Sequence, residues 1–161
     1  MMNYPRNLLP LAILALVFVA LSNTPAQPDT KTVVERIEPG KLDELINDKG
    51  CQCLIVAMAA WCGPCRDELP TLIKLNDKYK SKGLRMIGIS LDMGGPQAMQ
   101  PIVETAGVNF PVYWAGEEAI YKYNVIAMPT LFLVKNGEIV ERIVGKRSEA
   151  FLDQKIRDFL R

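Results

Sequence analysis

The chain has 161 residues, 49% of them hydrophobic and 23% charged, which suits one globular domain with a core of its own. Arg6 is the one charged residue of positions 1–26, so the remainder carries 18 basic and 18 acidic groups; that balance gives no electrostatic case for nucleic acid. There is no histidine, which removes Cys-His and Ser-His nucleophiles and every His-ligated metal site.

Asn3, Pro5 and Arg6 form a short, positively charged head, and Leu8 to Leu21 follows as an apolar run of fourteen residues. A spanning helix usually needs about 20. Thr24-Pro25-Ala26 supplies small residues near a cleavage point after Ala26. Residues 1–26 therefore read as an export signal, either cleaved or kept as a membrane tether through residues 8–21. No cysteine lies near the end of the run, which argues against a lipid anchor. Ser22 to Lys31, rich in Pro, Thr, Asn and Gln, reads as a tether, so residues 27–31 lead into a domain that occupies 27–161. Export places the protein outside the cytosol, in a periplasm or on the outer face of the cytoplasmic membrane, where disulfides persist.

Within the domain, Thr32 to Ile37 is expected as a short edge strand. Pro39 to about Asp48 is expected as a helix with Leu42, Leu45 and Ile46 on one face. Cys53 to Met58 is an unbroken apolar run, the pattern of a strand covered on both faces. Leu69, Leu72, Ile73 and Tyr79 then recur at helical spacing as far as Lys82-Gly83, with Pro70 placed to kink that helix. Leu84 to Leu91 reads as a second buried strand, Met93 to Pro96 as a turn, and Gln97 to Ala106 as a helix closed by Gly107. A short strand at Phe110 to Trp114 and a short helix at Glu117 to Tyr123 follow. Thr130 to Val134 and Ile139 to Val144 read as strands joined by Asn136-Gly137, a strong hairpin signal. Ser148 is expected to cap a last helix that turns Phe151, Leu152, Ile156, Phe159 and Leu160 inward. Strands that alternate with helices and end in a hairpin imply an α/β fold with a mixed sheet between helices.

The chemistry centres on Trp61-Cys62-Gly63-Pro64-Cys65, which follows a buried strand and opens a helix. A cysteine there meets unpaired N–H groups and the positive end of the helix dipole, and both favour thiolate over thiol. Cys65, one turn on, can attack a mixed disulfide formed by Cys62 and release the substrate. Cys62 is thus the expected attacking thiol and Cys65 the resolving thiol. Pro64 suits the first turn because its missing N–H costs nothing there.

Those five residues resemble the thioredoxin active-site motif, and Met128-Pro129-Thr130 resembles that fold's cis-proline loop just before its terminal hairpin. The resemblance covers roughly residues 32–161. It implies a thioredoxin-like fold, a central mixed sheet flanked by helices. It also implies a cis Pro129 facing the cysteine pair, and substrate-binding or supporting roles for Trp61, Gly63, Pro64, Met128, Pro129 and Thr130. The chain is more similar to the exported TlpA/ResA-like group than to thioredoxin itself, on three features. These are the export segment, an extra strand–helix stretch from about Gly95 to Trp114 ahead of the cis-proline loop, and Glu68 followed by Leu69-Pro70. In that group the glutamate lies close to the cysteines and tunes their proton transfer, so Glu68 is expected as the third catalytic residue; its alternative is an exposed acid on a helix face. Thioredoxin itself carries a buried Asp six residues before the first cysteine. Here that position is Val56, which shifts weight onto Glu68.

Cys51 and Cys53 stay open between small buried apolar residues and an auxiliary disulfide or thiol relay. Two extended residues at that spacing lie about 6.5 Å apart in Cα, near the long limit for a bridge. A four-cysteine zinc or iron–sulfur site is disfavoured by ligand spacing.

The expected function is dithiol–disulfide exchange with exported cysteine-containing proteins. It needs no cofactor beyond the Cys62–Cys65 disulfide, and no metal. Gly-Pro between the cysteines resembles reducing members, which implies a reductase fed by a membrane electron donor of thioredoxin-reducing type, with apocytochrome c thiols among the substrates. A disulfide oxidase or isomerase stays open, since such pairs range from about −270 mV in thioredoxin to about −120 mV in DsbA. So does a redox-inert, chaperone-like binding module. Copper delivery would ask for a histidine that the chain lacks.

Overall fold

The computed structural model describes residues 31–38 and 40–161. The expected export segment, with most of the tether, lies outside them, and no helix among the described residues is long and apolar enough to cross a membrane.

The elements follow the expected order: β1 (Val34–Arg36), α1 (Lys41–Asn47), β2 (Gln52–Met58), α2 (Gly63–Tyr79), β3 (Arg85–Ser90), α3 (Pro96–Ala106), β4 (Val112–Trp114), α4 (Glu118–Lys122), β5 (Thr130–Lys135), β6 (Glu138–Val144) and α5 (Glu149–Phe159). One six-stranded sheet runs β1-β4-β3-β2-β5-β6. The first four strands in that order pair in parallel, and β5 and β6 are antiparallel additions. Asn136 (φ 57°) and Gly137 (φ 82°) both take the left-handed conformation that a tight two-residue hairpin requires, which fixes the β5–β6 register.

The sheet is covered on both faces because β2 is apolar at every other residue in both phases. Leu54, Val56 and Met58 join a core with Leu69, Leu72 and Leu75 of α2, Met99 and Val103 of α3, and Leu152, Ile156 and Phe159 of α5. Cys53, Ile55 and Ala57 face the other way, toward Leu42, Leu45 and Ile46 of α1 and Ala119 of α4. The Met58 side chain crosses directly over Gly88 of β3. A Cβ there would stand 2.6 Å from Met58 Cε and 3.0 Å from a Val112 methyl, so any larger residue would have to displace the end of the Met58 side chain.

Pro70 lies inside α2, which runs on through it to Tyr79 and a short 3₁₀ turn at Lys80–Lys82. The last helix departs from expectation at one residue. Ser148 caps it by accepting the N–H of Phe151 at 3.3 Å, but Phe151 is 40% exposed rather than inward. The buried stripe is Leu152, Ile156 and Phe159, and Phe151 sits about 100° round the helix from Leu152, where it packs under the cationic groups of Arg147 and Lys155.

Candidate active site

β2 and β3 pair in parallel with Met58 beside Ser90, and β2 pairs antiparallel to β5 with Ala57 beside Thr130. The ends of β2 and β3 and the start of β5 therefore share one end of the sheet. The cysteine motif leaves from the first of these, and the Pro129 loop enters the last.

After Met58 the chain turns, the Cys62 N–H bonding to Ala59 O at 3.1 Å, and α2 begins. Cys62 is the N-cap residue, with extended backbone (φ −81°, ψ 101°), and its sulfur accepts the N–H of Cys65 at 3.2 Å. Pro64 falls in the first turn, where no donor is needed. The structure pairs Cys62 with Cys65, their Cα atoms 5.3 Å apart. Both are buried, whereas Trp61 beside them is 66% exposed. Once the pair is reduced, the same helix N-terminus presents an N–H and a partial positive charge to the Cys62 sulfur, which stabilises its thiolate.

Glu68 stands one helical turn beyond Cys65, and only 1% of its surface is exposed, so it is not a solvated acid on a helix face. Oε1 accepts the backbone N–H of Arg147 at 2.7 Å, while Oε2 is buried with no partner among the described residues. Burial pushes the carboxyl above its ordinary range; the Arg147 N–H and the charges of Lys146 and Arg147 oppose that rise without cancelling it.

The Met128–Pro129 peptide is cis. Its loop is held by Thr130 Oγ1 donating to Ala127 O at 2.6 Å and by the Gly145 N–H donating to Pro129 O at 2.7 Å. Thr130 is wholly buried. Met128 packs against both cores. Trp61, Met93 and Ile126 are large apolar side chains left exposed on loops at this end of the sheet. Met93 also lines a cleft of about 560 Å³ with Arg36, Trp114 and Tyr123 among others, which neither cysteine of the motif nor Pro129 lines.

Sequence reasoning missed Asp92, two residues beyond β3. It is 2% exposed, and its two carboxylate oxygens accept the Ala60 N–H at 3.0 and 3.1 Å. Ser90 Oγ donates to Oδ2 at 2.8 Å, and the Trp114 indole donates to the Asp92 carbonyl at 2.6 Å. From the other side, Arg66 donates to Ala60 O at 2.9 Å.

Cys51 and Cys53 lie at the opposite end of β2, both buried in the second core with their sulfurs side by side. Their Cα atoms are 5.3 Å apart, closer than the extended spacing expected, because Cys51 belongs to the turn after α1, with its N–H on Asp48 O, and not to the strand. Roughly 17 Å of strand separates Cys53 from Met58, so the four cysteines do not converge. No three acidic or cysteine side chains among the described residues are grouped to hold a metal ion.

A family model described as AhpC/TSA family matches residues 24–143. The thiol-disulfide oxidoreductase ResA of Bacillus anthracis is 35% identical over 116 residues, which span 71% of this chain and 66% of that protein. ResA of a Bacillus cereus strain is 33% identical over 120 residues, spanning 73% and 69%. The chain thus spans about two thirds of the length of the ResA relatives. Among solved structures, a putative thiol:disulfide interchange protein DsbE from Chlorobium tepidum shares the fold with a TM-score of 0.64 and 29% identity, over 70% of this chain and 82% of that one. The chain belongs to the AhpC/TSA family, as a thioredoxin-fold member of the thiol–disulfide oxidoreductase type.

Proposed function

We propose that the protein is an exported reductase that exchanges its Cys62–Cys65 dithiol with disulfides of extracytoplasmic proteins. The observation that carries this reading is the placement of the paired cysteines at the N-terminus of α2, at the same sheet end as cis Pro129, with buried Glu68 one turn along.

The Cys62 thiolate attacks one sulfur of a substrate disulfide and expels the other as thiolate, leaving a mixed disulfide. Cys65 then attacks Cys62 Sγ, its proton passing to the free Oε2 of Glu68. The second substrate thiolate leaves, and the Cys62–Cys65 disulfide closes; two electrons have moved from protein to substrate. A membrane donor dithiol reverses these steps and resets the pair. A carboxyl whose pKa is raised by burial accepts that proton more readily than an ordinary one.

The exposed Trp61, Met93 and Ile126 suit an unfolded or extended polypeptide around the disulfide. Apocytochrome c with its cysteine pair oxidised to a disulfide, which the reaction returns to thiols, fits this description by the resemblance to the ResA-like group. The reading is tested by insulin disulfide reduction with the dithiol form: wild type reduces insulin and Cys62→Ser does not. A wild-type dithiol that leaves insulin unreduced would leave only a binding role for the scaffold, and undiminished activity in Cys62→Ser would move the chemistry away from Cys62.

A further inference from the structure

We propose that Asp92 is a positioning residue for Cys62, clamping the Ala60 peptide so that the attacking sulfur stays on the N-terminus of α2. The proposal rests on Cys62 being the attacking thiol.

Ala60 lies between the end of β2 and the start of α2, where neither ladder nor helix supplies partners for its backbone. An N–H left unpaired in a buried setting costs about 1–3 kcal/mol. Here a carboxylate takes it with both oxygens, a charge-assisted contact of roughly twice the strength of a neutral one. Asp92 is itself fixed, by the Ser90 hydroxyl on its side chain and the Trp114 indole on its carbonyl, and it is almost fully buried. The Ala60 carbonyl is held independently by Arg66, from the first turns of α2. The peptide two residues before Cys62 is thus pinned between β3 and α2.

That matters because the activation of Cys62 depends on position. Its sulfur accepts the Cys65 N–H at 3.2 Å, and its own N–H reaches back to Ala59 O at 3.1 Å. Releasing Ala60 frees the segment on which both contacts hang. A shift of about 1 Å is enough to lose much of an oriented interaction. Asn at position 92 keeps an acceptor for the Ala60 N–H and a polar group for Ser90, whereas Ala keeps neither.

The test is the pH profile of Cys62 alkylation in the reduced full chain, read by peptide mass. Asp92→Ala is expected to slow Cys62 alkylation at neutral pH about tenfold and to move its midpoint upward, and Asp92→Asn to restore the rate to within about twofold. Asp153→Ala serves as a control, because it breaks the contacts of Lys78 and Tyr79 far down α2 and should lower stability without moving the Cys62 profile. A folded Asp92→Ala with the wild-type profile overturns the proposal. If Asp92→Ala does not fold, Ser90→Ala, which only releases the Asp92 side chain, should show a smaller shift in the same direction; no shift overturns the proposal equally. A wild-type Cys62 that titrates as an ordinary thiol would contradict the functional reading itself, and this proposal with it. Unchanged Asp92 and Ser90 variants beside an activated wild-type Cys62 would contradict this proposal alone.

Discussion

Glu68 and Arg147 meet across the molecule, 79 residues apart in sequence: the backbone N–H of Arg147 donates to Glu68 Oε1 at 2.7 Å and leaves Oε2 buried without a partner among the described residues. One oxygen holds the carboxyl in place, and the other stays available for a proton.

Glu68→Gln keeps an acceptor for the Arg147 N–H and removes the proposed proton carrier. Exchange should slow by about 10²-fold, the lower end of what a positioned base contributes, and the pH–rate profile should lose one ionisation. Insulin reduction measured across pH checks this, and an unchanged profile would remove Glu68 from the mechanism.

The same residue predicts a trend in stability. Its folded-state pKa is raised above the ordinary 4.5, so between 4.5 and the higher folded value the native state binds more protons than the unfolded one. Stability from this group is then full below 4.5 and falls as pH rises through the folded pKa. Glu68→Gln, which does not titrate, should gain on wild type over that window. Urea unfolding at several pH values measures the gap, and a gap that does not widen would contradict the raised pKa.

Cys51 and Cys53 sit at the far end of β2 from the motif, in the core under α1. Replacing both by Ala should leave insulin reduction within about twofold and lower the melting temperature, because fully buried side chains lose contacts. Loss of exchange without loss of folding would mean that they relay electrons.

Phe151 and Leu152 are neighbours with opposite burial. Phe151→Ser, which loses its contacts with Arg147 and Lys155, should cost about 1 kcal/mol, while Leu152→Ala should cost about 2–5 kcal/mol. Denaturant melts of the two variants check the assignment, and comparable losses would contradict it.

Local signals were legible in the sequence. The Cys62-Gly63-Pro64-Cys65 spacing after an apolar strand, the Asn136-Gly137 turn and the Ser148 cap each fix geometry within a few residues, and the structure has each of them in place. Contacts made by folding were not. Nothing in Leu91-Asp92-Met93 indicates that its carboxylate will meet Ala60, 32 residues earlier, because only the β2–β3 register brings them together. Glu68 stood out through its motif, yet its burial depends on the segment after β6, which helical spacing cannot reveal. Phe151 was misplaced because an apolar residue beside a true stripe shares its composition but not its angle.

The central claim is that Cys62 attacks and Cys65 resolves. Cys65→Ser and Cys62→Ser should each be mixed, fully reduced, with a disulfide-bonded protein such as insulin, and the trapped species mapped by mass. The account predicts a stable mixed disulfide through Cys62 in Cys65→Ser and little or none in Cys62→Ser. Trapping through Cys65 at a comparable rate would contradict it.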